Sequence, residues 1–419
     1  MFGIAVSIAL PRVLGPEARG EYQLAVKLAG LVLAVAQWGI PEALLQLVAE
    51  RRASTSALAG TSLVLGLSAA TVTAVLVALG ALTPAIRDSL LRGVDPSLMA
   101  LTLVGSLASL VGLLARRFIQ LGGRLDLYNG LDVVRNGLFL LLAVVGAAVL
   151  PRQALGATSA WLVAECVLAL VAGVFVWRRL ANARVAYAAG LAGELGRLGA
   201  PIQLGLLAMF LGNEGGAYVL NARLDLAAVG VYAVALAIAR LVLQISIALR
   251  TALQPRLIGS EASAAAVTAR VTRHGLVWMV LVAACLAVGS PLVPIIFTRE
   301  FGAAEGPLVL LLPGMIAYGV WQLVAGHLLR IGQRGLLAAN SWLFAIAAIV
   351  LQAIGAQTLG LAGAAAGLSV AYVLGAGVAT LAFVRLSGIS ARELVPAPSD
   401  LSFYRGLLSS VRAQARLAG

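Results

Sequence analysis

The sequence predicts an all-α polytopic membrane protein, with about twelve transmembrane helices in two pseudo-symmetric six-helix lobes around a central cavity. Three observations lead to this fold class. Hydrophobic residues make up 61% of the 419 residues and charged residues 11%, a composition incompatible with a soluble domain of this length. The apolar segments are continuous rather than alternating, which is typical of helices surrounded by lipid or protein. The second half of the chain also repeats the first.

The internal repeat has a constant offset between its two copies. The offset pairs Gly20 with Gly230, Tyr22 with Tyr232, Pro84 with Pro294, and Arg124 with Arg334. Matches among Leu, Ala and Val arise easily by chance in so apolar a chain, so these Gly, Tyr, Pro and Arg matches carry the argument. Each half holds six predicted spans. The halves therefore enter the membrane in the same orientation, related by an axis along the membrane normal, with a cavity between them.

In chain order, clusters of Pro, Gly and Arg divide the sequence into apolar runs. A transmembrane helix needs about 20 mainly apolar residues, and we compare the length of each run with this number. The predicted spans are residues 1–13, 22–49, 57–83, 97–120, 129–150, 155–177, 199–221, 227–255, 274–298, 306–329, 335–356 and 359–385. The first run is short for a bilayer, which predicts that the first helix is incomplete. Gly15-Pro16-Glu17 is predicted to open the second helix, because proline suits a first helical turn and glutamate its positive end.

The domain organisation follows from these runs. We expect an N-lobe over residues 1–196, which includes a linker, and a C-lobe over residues 197–386. The linker, residues 178–198, is the only long connection between the lobes. Residues 387–419 form a basic cytoplasmic tail in which 399–417 are either an amphipathic helix on the anionic inner leaflet or a disordered segment.

The formal net charge of +13 does not indicate nucleic-acid binding, because the basic residues are spread over short loops. Most of the 30 Lys and Arg residues fall on loops of one side and on the tail. The positive-inside rule then predicts a multi-pass protein of the plasma (inner) membrane with both termini cytoplasmic. The two cysteines lie within apolar helices, so we predict neither a disulfide nor a metal site, and no cofactor.

Three cations lie inside predicted spans: Lys27, Arg135 and Arg240. A cation at mid-membrane costs about 2.5–3.5 kcal/mol on insertion scales, so each is a candidate functional residue. Arg240 lies about 20 Å along its helix. The repeat places Lys27 at position 237, on the same helix face as Arg240, so both are predicted to face one cavity. Together they match an anionic group, which arginine binds through a planar fork and lysine as a point charge.

Other interpretations of these charges stay open at the level of sequence. Lys27 is near its loop, so its amine also fits snorkelling towards the headgroups. Arg135 follows Asp132 by three residues, which favours a local ion pair. Glu165 and Glu214, both within spans, are candidates for H⁺ or Na⁺ coupling, or for an interhelical hydrogen bond or a counter-ion role. Gly215-Gly216, beside Glu214, indicates either a locally unwound segment or a loose helix end.

Several short motifs resemble a known family. The segment Pro11-Arg12-Val13-Leu14-Gly15-Pro16-Glu17, followed by Gly20-Glu21-Tyr22, resembles the opening of the Wzx-like polysaccharide flippases of the multidrug/oligosaccharidyl-lipid/polysaccharide (MOP) exporter superfamily. Three further segments are similar to helix boundaries of that family, namely Asp225 with Val229–Ala235, Gln254–Leu257, and Leu359–Ala365. Each motif is weak alone; their order and spacing on twelve spans make them specific.

The resemblance implies an alternating-access transporter that moves an isoprenoid-pyrophosphate-linked oligosaccharide from the cytoplasmic to the outer leaflet for cell-surface polysaccharide synthesis. It also implies contact with membrane lipids and with polysaccharide polymerase machinery. The pyrophosphate of such a substrate is then the anion expected at Arg240 and Lys27, with Arg135 as a further candidate. One rival, a multidrug antiporter of the same superfamily, needs an anionic cavity for cationic drugs. The other, a membrane glycosyltransferase or ligase using the same lipid carrier, normally displays catalytic residues on a substantial loop. Here the loops are short and the chain has two histidines, so no catalytic residue is predicted.

Overall fold

The computed structural model describes residues 2–49, 53–150, 152–180, 186–253, 261–397 and 400. Within these ranges the regular elements are helices, joined by short turns. They are α1 (Phe2–Ala36), α2 (Ile40–Ala49), α3 (Thr55–Leu82), α4 (Pro84–Arg87), α5 (Pro96–Leu121), α6 (Leu125–Val149), α7 (Gln153–Leu180), α8 (Ala189–Arg223), α9 (Leu226–Ala239), α10 (Leu243–Leu253), α11 (Glu261–Val288), α12 (Val293–Ile296), α13 (Glu305–Arg330) and α14 (Arg334–Ser387).

Two of these helices break at a glycine with positive φ. Gly360 has φ 60° and divides α14 into arms α14a (334–359) and α14b (361–387). The arms form a hairpin, because the backbones of Gly355 and Gly363 touch. Gly15 has φ 68° and divides α1 into arms α1a (2–14) and α1b (16–36), at the turn that the sequence predicts. An unbroken helix would separate residues 7 and 27 by about 30 Å, yet both arms reach the neighbourhood of Arg240, as described below.

The number of helical arms agrees with the prediction. Among the described residues nine helices are long and apolar enough to cross a membrane, and the bent pair of α1 and α2 makes ten. The division of α1 and α14 into two arms each then gives twelve. Large apolar side chains such as Leu76, Leu141 and Val288 lie exposed on the outside of the bundle, which is the surface that lipid covers. The protein is therefore a multi-pass membrane protein.

The two halves meet at a contact between repeat partners. A Cβ atom on Gly20 would overlap the carbonyl oxygen of Leu226, and one on Gly230 would overlap that of Pro16. The repeat offset converts the first of these contacts into the second. Residues that touch their own repeat partners lie on the pseudo-two-fold axis, so this crossing of α1b and α9 marks the axis. Glycine is needed on both helices because the backbones approach so closely.

Helix α1b also runs antiparallel to α8 of the second half. Gly39 packs against Gly199, Gly30 against the ring of Phe210, and the hydroxyl of Tyr218 donates to the carbonyl of Leu24 at 3.2 Å. We call this contact the closed seam. It joins the halves along the whole length of α1b.

The predicted continuous span 22–49 is wrong at its centre. The helix breaks between Ala36 and Ile40, where Trp38 and Gly39 adopt positive φ. Gln203 of α8 supports the break, since its amide donates to the carbonyl of Ala34 and its oxygen accepts from the Gly39 amide at 2.9 Å. A side chain from the other half thus satisfies the backbone groups that the break exposes.

The predicted linker 178–198 is largely helical. Helix α7 continues to Leu180, residues 181–185 lie outside the described part, and α8 begins at Ala189, ten residues before the predicted span at 199. The reason is packing. Leu191 and Leu195 are buried in an apolar cluster with Ile40 and Leu58, so this amphipathic stretch gains burial as helix rather than as linker.

The start of the tail packs on the bundle. Gly388 ends α14 in the left-handed conformation, and Ser390 and Glu393 then cap a short 3₁₀ turn in which Leu394 is buried. Asp400 pairs with Arg273 of α11 at 2.8 Å. The predicted amphipathic helix over 399–417 falls, except for Asp400, outside the described residues.

Candidate functional site between the two halves

Lys27 and Arg240 share one carboxylate inside the bundle. Lys27 lies on α1b, and its amine pairs with Oε2 of Glu214 on α8. Arg240 follows α9, and its guanidinium pairs with Oε1 of Glu214 at 2.8 Å. The side chains of Lys27 and Glu214 are 11% and 20% exposed and that of Arg240 is 36% exposed. The structure therefore brings together two cations predicted to face one cavity, with a candidate ion-coupling carboxylate between them; we call this set the central triad.

Neighbouring polar groups fix the triad in place. The Arg240 guanidinium also contacts the backbone carbonyl of Asn213 at 3.4 Å, and the side-chain oxygen of Asn213 accepts a hydrogen bond from the hydroxyl of Tyr372. The ring of Tyr372 is fully buried and stacks between Tyr318 at 4.8 Å and Phe344 at 4.7 Å between centroids. A rigid aromatic stack in the second half thus positions the residue next to Glu214.

Arg240 occupies a change in helix type. Helix α9 ends at Ala239, residues Arg240–Val242 form one 3₁₀ turn, and α10 begins at Leu243. The backbone hydrogen bonds of a 3₁₀ turn have poorer geometry than those of an α-helix, and such a turn inside a longer helix often marks a hinge. Arg240 therefore begins the segment at which this span changes from an α-helix to a 3₁₀ turn.

A cavity lies beside Arg240. It has a volume of about 600 Å³ and lies between Ser7 and Ile8 of α1a and the segment 237–244, which includes Arg240. Its remaining wall is apolar and is formed by residues of α11, α12 and α13, among them Leu286 and Leu308. We call it the Arg240 cavity.

Two expectations about Glu214 and its surroundings can now be judged. Gly215-Gly216 is neither unwound nor a helix end, because α8 continues through both to Arg223. These small residues instead let α14a approach, since a Cβ on Gly216 would overlap the amide of Gln352. Lys27 does not snorkel to the headgroups but points at Glu214.

Arg135 lies away from the triad and does not form the predicted local pair. Asp132 pairs with Arg116 of α5. Arg135 of α6 instead pairs with Glu165 of α7 at 2.9 Å and contacts the side chain of Asn136 at 3.1 Å. Glu165 is only 4% exposed. Both predicted ion-coupling carboxylates are therefore counter-ions of arginine in this conformation, and the coupling role stays a prediction.

The Arg135–Glu165 pair leads to a stability prediction. Glu165→Gln alone is expected to destabilise the protein by on the order of 3 kcal/mol, because it leaves Arg135 without its partner inside the membrane. The double variant Arg135→Gln/Glu165→Gln removes both charges and should recover much of this loss. Thermal unfolding midpoints in detergent, measured for both single variants and the double variant, test the coupling. Additive losses would contradict it.

Some residues near the site were not predicted from the sequence. Arg19, in the first turns of α1b, is buried at 8% exposure with its guanidinium 5.5 Å from the centre of the Tyr22 ring. Nothing in the sequence indicated that Tyr372 belongs to the site, because a single tyrosine in an apolar helix stands out only once its hydrogen bond to Asn213 is known. Among the described residues no group of His, Cys, Asp and Glu is arranged to hold a metal ion.

Comparisons with solved structures identify the fold. An inward-closed structure of the lipid II flippase MurJ matches with a TM-score of 0.70 at 11% identity, covering 94% of this chain and 88% of that one. An inward-facing multidrug resistance MATE family transporter of the MOP superfamily matches at 0.65 and 18% identity, covering 93% and 96%. A MOP superfamily transporter from Pyrococcus furiosus with a binding pocket of reverse polarity matches at 0.57 and 15% identity, covering 92% and 91%.

Sequence comparison gives the family. No curated relative matches the chain. The family model described as "Polysaccharide biosynthesis protein" matches residues 1–260, which is more than half of the 419 residues and includes all three members of the central triad. With the MOP-superfamily fold, this match establishes that the chain belongs to the polysaccharide biosynthesis protein family.

Proposed function

We propose that this protein moves an isoprenoid-pyrophosphate-linked oligosaccharide from the cytoplasmic to the outer leaflet of the plasma (inner) membrane by alternating access, with both termini cytoplasmic. The observation that carries the proposal is the meeting of Lys27 and Arg240 at the interface between the halves. Two cations placed there cost free energy on insertion. A substrate whose anionic group crosses the membrane explains why both cations are placed there.

The charges of the triad favour an anion over a cation. Two cations and one carboxylate leave a net positive charge, and the guanidinium of Arg240 lines the Arg240 cavity. A phosphate oxygen at that position gains a charge-assisted hydrogen bond from a donor that is already held in place. Arg135 is a weaker candidate for the same task, because it is paired with Glu165 within the first half.

The Arg240 cavity suits the lipid part of such a substrate. It places an apolar wall next to a single guanidinium, and an isoprenoid pyrophosphate has the same sequence of apolar chain and anionic head. Ligand pockets generally combine a largely apolar wall with a few fixed polar groups. The glycan in this proposal occupies the space between the halves after they separate.

Fold similarity to multidrug transporters makes a multidrug antiporter the alternative. A cationic drug needs a carboxylate that is not already neutralised. In this conformation Glu214 is paired with two cations and Glu165 with one. Neither carboxylate is therefore free to bind a cationic drug, which argues against the antiporter. Coupling of transport to H⁺ or Na⁺ through either carboxylate, and delivery of product to polysaccharide polymerase machinery, are part of the proposal.

A reconstitution experiment tests the function. Purified protein is placed in vesicles that carry a fluorescent isoprenoid-pyrophosphate-linked oligosaccharide in the inner leaflet, and arrival in the outer leaflet is read by an impermeant quencher or lectin. We expect transfer that depends on the protein and is accelerated by an imposed H⁺ or Na⁺ gradient. Cationic dyes in matched vesicles serve as the comparison. Dye transport without lipid transfer would favour the antiporter and reject the flippase.

A further inference from the structure

Glu214 occupies the position between Lys27 and Arg240 to which the proposed function assigns the anionic head of the substrate. Each of its carboxylate oxygens holds one cation: Oε2 pairs with Lys27 and Oε1 with Arg240. One carboxylate thus pairs, in this structure, with both groups to which the proposed function assigns the pyrophosphate. Glu214 belongs to the same half as Arg240, whereas Lys27 comes from the other half.

We propose that Glu214 is an internal competitor for the substrate's anionic head, and that it determines which anions the site accepts. The inference rests on the proposed function. A pyrophosphate displaces the Glu214 carboxylate from Lys27 and Arg240 and takes over both cations. Glu214 therefore rejects weakly charged anions, such as the monoanionic phosphodiesters of bulk phospholipids, and admits a head with two negative charges.

The charge balance explains this selectivity. A monoanion that replaces the carboxylate exchanges one negative charge for another, so it gains little and leaves Glu214 without a partner. A pyrophosphate diester brings two negative charges to two cations, which offsets the loss of the internal pair. Specificity of this kind comes from the cost imposed on the wrong ligand as much as from attraction to the right one.

Displacement of Glu214 by the substrate also weakens the contact between the halves. The Lys27–Glu214 pair crosses the closed seam, between α1b and α8, and is its one ion pair among the described residues. The other contacts of this seam are hydrogen bonds and glycine packing. Displacement of Glu214 by the substrate removes this pair, so binding of the head and loosening of the halves occur together.

Anion affinity tests the proposal. Wild type and Glu214→Gln are placed in nanodiscs of neutral lipid, and binding of farnesyl pyrophosphate is measured by calorimetry and by the ligand-induced rise in unfolding midpoint. We expect Glu214→Gln to bind farnesyl pyrophosphate at least about tenfold more tightly, because the competing charge is gone. Uncharged farnesol should bind both proteins equally.

Two further variants serve as controls. Glu214→Asp keeps the charge on a side chain one methylene shorter, so the protein keeps its charge balance and folds, and its affinity for farnesyl pyrophosphate should be intermediate. Asp132→Asn removes a carboxylate that pairs with Arg116 within one half, outside the proposed site. It should lower the unfolding midpoint without changing the affinity.

The possible results separate this inference from the proposed function. Tighter binding by Glu214→Gln with intermediate binding by Glu214→Asp supports competition. Equal or weaker binding by both variants, while the wild type does bind, overturns it and leaves the function intact. If neither wild type nor variants bind farnesyl pyrophosphate, the proposed anion site is wrong and the inference is rejected with it.

Discussion

Replacing Arg240 with alanine is expected to lower the rate of lipid-linked oligosaccharide transfer by at least about tenfold. A hydrogen bond to a charged group contributes about 1.5–3 kcal/mol, which corresponds to about 10–150-fold in affinity. The variant should still fold, because Glu214 keeps Lys27 as its partner. Transfer in the vesicle assay and the unfolding midpoint of the same preparation are measured together.

Two variants calibrate that result. Arg240→Lys keeps the charge without the planar fork and should retain intermediate transfer. Arg250→Ala removes an arginine from the last turn of α10, on the same span but away from the triad, and should transfer at the wild-type rate. Normal transfer by Arg240→Ala would show that this arginine has no part in the substrate site.

Replacing Gly20 with alanine is expected to have the largest effect on stability of any single methyl group in the chain. The added Cβ would overlap the carbonyl oxygen of Leu226 at the pseudo-two-fold axis. Overpacking costs about 1–3 kcal/mol where side chains can adjust; here the obstacle is backbone, so we expect about 3 kcal/mol or more. Gly230→Ala should behave alike, since its Cβ would overlap the carbonyl of Pro16. The unfolding midpoint in detergent measures both.

Gly173→Ala provides the matched control. Gly173 lies within α7, and a Cβ there would meet nothing within 4 Å. The change should leave the unfolding midpoint unchanged or raise it, because alanine favours helix over glycine by about 1 kcal/mol. If Gly20→Ala unfolded at the wild-type temperature, the close crossing of α1b and α9 would be wrong.

The sequence predicted the helices well where the signal was local. The span predicted at 306–329 is α13 at Glu305–Arg330, and the turn at Gly15-Pro16-Glu17 lies where the first arm ends. The errors occur where another element decides the outcome. Residues 37–39 break because Gln203 and Gly199 lie against them, and α8 begins early because Leu191 and Leu195 are covered by α2 and α3.

For the candidate site, too, the sequence supplied part of the information but not the pairing of the charges. The repeat predicted that Lys27 and Arg240 face one cavity, because pseudo-symmetry relates distant positions without any knowledge of packing. The structure brings both to Glu214, while of the two only Arg240 lines the Arg240 cavity. The repeat gave no information on which carboxylate each cation meets. Asp132, near Arg135 in sequence, pairs with Arg116, and Glu165, 30 residues from Arg135, takes its place.

The sequence by itself determined that this chain crosses a membrane about twelve times, that it is a duplication, and that a few charges lie at depth. These properties follow from composition and periodicity, which each segment carries alone. Only the tertiary structure decided that α1b packs against α8, and that Glu214 bridges two cations, one of them 187 residues away. A buried charge pairs with whatever opposite charge the packed helices bring to the same depth, and that depends on the whole bundle.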